Sequence, residues 1–280
     1  MCDWCLQHGE GKKWYLNIKN FSKDFLNDEA VVKAAKKYMR NAESIIGMGA
    51  SMTPDFLNLK NDGDFSQAVE QVKQTIATSI PHRGQVVPIE DVKKIIELSG
   101  PIAKTACVCR RAFKGSFEEK TCIPVGPVYL EYAKEFPDYY RGGIDYISKE
   151  EAVELMEGFQ EKGYVATFWM DFSEPAVIAF CNCEYPTCGG LRGRRFLGDW
   201  YNFFLRKAEY VVMHDQDKCI GCAKCIQRCQ FSAITYSPYL EKAIFNMKEC
   251  AGCGLCRDAC EEGAIRLVPR SEVPAVRRSW

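Results

Sequence analysis

The chain has 280 residues, and its composition, 47% hydrophobic and 26% charged, is globular and excludes an intrinsically disordered chain. Lysine and arginine together number 37, as do aspartate and glutamate, so no net charge steers it toward nucleic acid or an acidic membrane surface. The unusual figure is 16 cysteines. A small secreted domain would use them as disulfides. This chain is not small, and its start turns charged at Glu10, Lys12 and Lys13 without the apolar core of a signal peptide. No run of about 18 apolar residues appears, so no membrane span is expected. The expectation is a cytoplasmic chain whose reduced cysteines serve metal ligation or redox chemistry.

Residues 1–100 read as a mainly helical region. Its two cysteines, Cys2 and Cys5, lie near His8 and read as half of a zinc knuckle, a redox dithiol, cluster ligands or nothing; no histidine directly follows Cys5, so covalent haem attachment is not supported. Val31, Val32, Ala35, Tyr38 and Met39 fall at helical spacing over 28–41. Val69, Val72 and Ile76 repeat the pattern after Ser66, a candidate N-cap. Pro88 opens a third helix through Val92, Ile95 and Ile96, stopped by Gly100-Pro101.

Residues 101–210 form a cysteine-rich region with Cys107, Cys109, Cys122, Cys181, Cys183 and Cys188. Ser148 and Glu151 form a potential capping box for a helix whose apolar face is Val153, Leu155, Met156 and Phe159, with Gly163 after its end. Residues 164–169 and 176–180 read as strands, the second running directly into Cys181. This helix and hairpin read as scaffold, since no basic recognition face accompanies them. Arg110 and Arg111 follow the first cysteine pair, and Arg192, Arg194 and Arg195 follow the last, where cations would offset the charge of a thiolate-bound cluster. One or two further iron–sulfur clusters are expected here; a zinc site and buried structural thiols are the alternatives.

Residues 211–268 hold an internal repeat of about 31 positions. Each half has four cysteines followed by a β-prone run, at 233–236 and 264–268, and is preceded by a candidate strand, at 210–213 and 243–245. Residues 269–280, with two prolines and three arginines, read as a tail.

Cys219-x-x-Cys222-x-x-Cys225-x-x-x-Cys229 is matched by Cys250-x-x-Cys253-x-x-Cys256-x-x-x-Cys260. This repeat resembles the two-cluster bacterial ferredoxins, whose spacing is a standard example of such ligation. The resemblance implies two [4Fe–4S] clusters, one held by Cys219, Cys222, Cys225 and Cys260, the other by Cys250, Cys253, Cys256 and Cys229. It also implies an α+β ferredoxin-like domain at the C-terminal end. The usual proline after each fourth cysteine is replaced by Gln230 and Glu261. Over 211–270 there are eight Lys/Arg and seven Asp/Glu, a near-neutral module more like a wire in a larger assembly than an acidic shuttle. The layout, a Cys-x-Cys-Arg segment and a Cys-Asn-Cys segment before the repeat, also resembles an uncharacterised type of anaerobic protein.

Gly47-Met48-Gly49 lacks the third glycine of a dinucleotide fingerprint, and no phosphate-binding loop or radical S-adenosylmethionine motif occurs. His8, His82 and His214 are too scattered for a triad. The expected function is electron transfer through several [4Fe–4S] clusters to or from a partner redox protein or enzyme subunit, in anaerobic metabolism. No acid, base or nucleophile is required. An iron–sulfur oxidoreductase with a substrate-binding cluster in the middle region, and a redox-sensing regulator, are the rival readings; nucleic acid is not an expected partner.

Overall fold

A computed structural model describes residues 13–42, 67, 70, 83–171, 174, 176–198 and 204–279. The helix expected after Ser66 and the cysteines Cys2 and Cys5 fall almost wholly outside the described residues. Within the described residues the chain is α+β.

Helix α1 covers residues 29–42 and buries Val31, Ala35, Met39 and Ala42, the one-sided spacing read from the sequence. Asp28 starts it by accepting the amides of Ala30 and Val31 on its carboxylate. Helix α2, Ile89–Leu98, begins after Pro88 and places Glu90 and Asp91 in its first turn. Short helices follow at Val108–Lys114 (α3) and Pro127–Glu131 (α4). In α5, Lys149–Glu161, the capping box is complete: Ser148 accepts from the Glu151 amide, and Glu151 accepts from the Ser148 amide.

The middle of the chain builds a seven-stranded sheet in the order β4-β2-β3-β6-β5-β1-β7. Its strands are β1 (Gly84–Val86), β2 (Ala103–Thr105), β3 (Cys122–Pro124), β4 (Ile144–Tyr146), β5 (Val165–Met170), β6 (Val177–Cys183) and β7 (Leu205–Arg206). All neighbours are antiparallel except β1 and β7. The sequence shows only the β5–β6 hairpin, because strands of two or three residues are too short to display a period. Strand β6 is also longer than expected: Cys181 and Cys183 lie within it rather than after it. Strand β1 and helix α2, both before residue 100, belong to this sheet and its cover. The apolar core under α2 and α5 takes in Trp14, Tyr15, Ile123, Phe168 and Phe180; a second core joins α1 to Tyr129, Tyr139, Ile178 and Cys122.

The last third consists of two interleaved halves. Strand β8 (Tyr210–His214) pairs antiparallel with β11 (Ile265–Pro269), and β9 (Ile234–Ser237) with β10 (Lys242–Phe245). Each half contributes a short helix, α7 (Lys224–Arg228) or α8 (Leu255–Asp258). The repeat of 31 is visible in the backbone: positive φ recurs at Gly221 and Gly252, Ala223 and Gly254, and Ser232 and Gly263.

Residues after 268 are not a loose tail at their start. Arg270 is fully buried and donates to the carbonyls of Ala208 (3.0 Å), Tyr210 (2.9 Å) and Cys250 (2.8 Å); Val276 is buried as well. A guanidinium presents five donors in a fixed fork, so one side chain ties the entry to β8 to the second cysteine run. Arg270→Ala leaves those carbonyls without these donors and is expected to lower stability by about 2–3 kcal/mol. The exposed Arg277→Ala is expected to change it by less than about 0.5 kcal/mol. Urea denaturation without oxygen, comparing midpoints, checks both.

Candidate metal centres

The first cavity in the last third is lined by Cys219, Cys222, Cys225 and Cys260, and the second by Cys229, Cys250, Cys253 and Cys256. Each gathers three cysteines of one run and the fourth of the other. The crossing follows from topology: each fourth cysteine lies just after a helix, and α7 and α8 pack side by side, so each is carried to the neighbouring loop.

The backbone of each cysteine loop lies tight against a neighbouring strand or turn. A Cβ on Gly221 would overlap the carbonyl of Glu241, and one on Gly252 the carbonyl of Tyr210, and both residues have positive φ. The donor set is all sulfur, suited to iron–sulfur clusters or zinc. Burial pushes the Cys225 thiol up to about 11 and that of Cys253 to about 12, so these thiols stay protonated until a metal supplies positive charge.

The two cavities differ in exposure. Cys222 is exposed and Ile220 beside it is 67% exposed, whereas Cys250 and Cys256 are buried. The residues standing where ferredoxin-like proteins have proline also differ. Glu261 takes an ion pair from Lys224 on the surface (2.5 Å). Gln230 accepts the Tyr185 amide (2.6 Å) and donates to the Gly163 carbonyl, fastening this fold to the middle region. The missing proline was the only signal in the sequence for that contact.

Residues 218–265 match the model of the 4Fe-4S dicluster domain family. That segment is therefore a ferredoxin-type iron–sulfur domain. In addition, 37 residues, 13% of the chain, are 51% identical to an uncharacterized polyferredoxin-like protein of Methanocaldococcus jannaschii and cover 22% of it. The chain thus spans about a fifth of that relative.

The six middle-region cysteines also meet. Cys122 on β3 sits opposite Cys181 on β6, and Cys183 shares the Cys181 face two residues on. Cys107 precedes α3, Cys109 lies within it, and Cys188 precedes α6 (Gly189–Leu197). Side-chain contacts run from Cys107 to Cys109, Cys188, Cys183, Cys181 and Cys122 in turn. The Cys109 and Cys183 thiols hold Cys188 down at about 5, and those of Cys122 and Cys183 hold Cys181 low. The same thiol contacts, with burial, push Cys107, Cys122 and Cys183 up.

The arginines that follow these cysteines in the sequence also make contacts of their own. Arg110 pairs with Glu119 and Glu184 and stacks on Tyr164, Arg111 donates to the Arg141 carbonyl, and Arg192 and Arg195 lie over Phe113 and Tyr185. The glycine-rich run that begins at Gly189 forms helix α6. Of the histidines, His214 packs its ring 4.6 Å from Phe245 at the first cavity, and His8 and His82 lie outside the described residues. No helix among the described residues is long and apolar enough to cross a membrane.

The left-handed turn at Ala223 occupies the place of Gly254 in the other half. A Cβ there costs about 1 kcal/mol, so Ala223→Gly is expected to stabilise the chain by up to that amount. Gly252→Ala forces a Cβ onto the Tyr210 carbonyl and is expected to destabilise by more than about 2 kcal/mol and to cut bound iron. Thermal melts and iron assay under argon check these opposite signs.

Proposed function

We propose that this chain is an electron-transfer protein that exchanges single electrons with a partner oxidoreductase in anaerobic metabolism. Its dicluster domain holds two [4Fe–4S] clusters, one through Cys219, Cys222, Cys225 and Cys260, the other through Cys250, Cys253, Cys256 and Cys229. The observation that carries the reading is the sorting of these eight cysteines between two cavities in that crossed pattern. The clusters supply one-electron redox chemistry, and the chain supplies ligation, burial and access.

Each part of the chain has a task under this reading. Gly221 and Gly252 let the cysteine loops turn at positive φ and seat against the carbonyls of Glu241 and Tyr210, which fixes where their thiols stand. Leu255 and Ile234 wall the inner cavity and limit water there, which tunes potential. The exposed Cys222 and Ile220 leave the outer cavity as the face for a partner, with Tyr239, 93% exposed, and Tyr236 on the adjacent hairpin as an apolar contact surface. The near-neutral charge of the domain favours a partner held by such contacts over one recruited by long-range steering.

Chain purified and reduced without oxygen is expected to pass one electron per cluster to a one-electron acceptor dye. Cys219→Ser combined with Cys253→Ser is expected to remove the electrons that belong to this domain. An iron-free chain, or an electron count that this double variant leaves unchanged, overturns the reading. Cys260→Ser is expected to alter the paramagnetic resonance of the cluster held by the first run, and Cys229→Ser that of the second. The reverse assignment would sink the crossed pattern while leaving electron transfer intact.

A further inference from the structure

Six cysteines from four separate stretches of sequence have no need to meet if each is only a small apolar side chain. Here they form one continuous chain of thiol contacts on one side of the sheet, with Cys107, Cys122, Cys183 and Cys188 buried and Cys109 and Cys181 half-buried. Three come from adjacent strands, where cross-strand pairing and the two-residue period fix the spacing of Cys122, Cys181 and Cys183. Three come from the beginnings of α3 and α6, and a Cβ on Gly189 would lie 3.7 Å from the Cys109 sulfur, ordinary contact that brings these two helix starts together. Two rigid strands and two helix starts hold the sulfurs more firmly than a loop does.

We propose that Cys107, Cys109, Cys122, Cys181, Cys183 and Cys188 form a further metal centre that takes a polynuclear iron–sulfur cluster. Six thiols cover the four that a [4Fe–4S] cluster takes, and soft sulfur donors alone select iron–sulfur or zinc over hard cations, so the metal assay below separates the two. The centre is not isolated from the dicluster domain. Cys183 and Cys188 share one buried apolar cluster with Ala251 and Leu255, and Cys181 and Cys253 pack against it. Ala251 and Leu255 also line the inner cavity. The two sites therefore stand on opposite sides of one wall, locked by Gln230 against Tyr185 between Cys183 and Cys188. Tyr38 of α1 stands near Cys181, Cys109 and Cys122, so the N-terminal helix covers the same group. This role as a redox neighbour of the inner cavity rests on the function proposed above; the presence of the centre does not.

The test is iron and acid-labile sulfide per whole chain purified without oxygen, with two reciprocal variants. Two [4Fe–4S] clusters account for about eight iron, and a further centre raises the count to about twelve or more. Cys183→Ser with Cys188→Ser is expected to bring it back to about eight and to leave the resonance signals of the dicluster domain in place. Cys222→Ser with Cys253→Ser is expected to retain about four iron or more and the remaining signal. If one variant fails to fold, the other still locates the extra iron. A wild-type count of about eight, zinc in place of iron, or extra iron that persists in the Cys183/Cys188 variant overturns the centre. If instead the Cys183/Cys188 variant loses all iron and the reciprocal variant loses none, the centre stands and the dicluster reading fails.

Discussion

A thiol taken out of water resists ionisation, and fourteen described cysteines are gathered in places where most are buried or half-buried. That desolvation governs much of the surrounding architecture. Loops at Gly221 and Gly252 adopt positive φ and lie against the carbonyls of Glu241 and Tyr210, where no Cβ fits. Helices α7 and α8 stay one turn long, which brings Cys229 and Cys260 back toward the neighbouring loops. In the middle region the sheet itself does the gathering, since β3 and β6 set Cys122 against Cys181 without any loop. Under the two proposals above, thiolate-binding metal is the compensation in both places, because it brings charge to the sulfur rather than bringing the sulfur to water.

The parts of this arrangement that repeat locally were legible in the sequence. The 31-residue repeat, the α1 stripe of Val31, Ala35 and Met39, and the Ser148–Glu151 capping box depend on neighbours a few residues apart, and each is present. The seven-stranded sheet was not legible, because β1, β2, β3, β4 and β7 are too short for alternation to register. Meeting of the six middle cysteines depends on strand order, which spacing along the chain does not encode. Arg270 looked like part of a polar tail because composition does not reveal that three inward carbonyls await it. Gln230 was visible only as a missing proline; its reach to Tyr185 and Gly163 is a tertiary fact.

Polar side chains, not apolar area alone, join the iron–sulfur domain to the sheet. Gln85 on β1 accepts the Trp14 indole N–H and donates to the Lys207 carbonyl and the Glu209 carboxylate. Lys207 donates to the Lys248 carbonyl (2.6 Å), and the Ala208 amide to the Ala251 carbonyl (2.8 Å). Arg257 of α8 pairs with Glu90 of α2. The buried contacts of Gln85 among these have strict geometry, so they fix one relative placement of the two parts where apolar packing alone would tolerate sliding.

Residues 207–209, where the sheet passes into β8, have a bearing on ancestry. A module added to a host fold by recombination ordinarily arrives on an exposed, pliable connector. Here Lys207 and Ala208 have no exposed surface and Glu209 is buried, so the junction lies inside the molecule. No hinge can work at such a point, and the domain cannot swing between donor and acceptor as a tethered carrier does. Nor can it be exchanged for another of its kind without rebuilding the wall on the host side. The two parts are bound to diverge together, each change at the junction admitted only if its opposite number accommodates it.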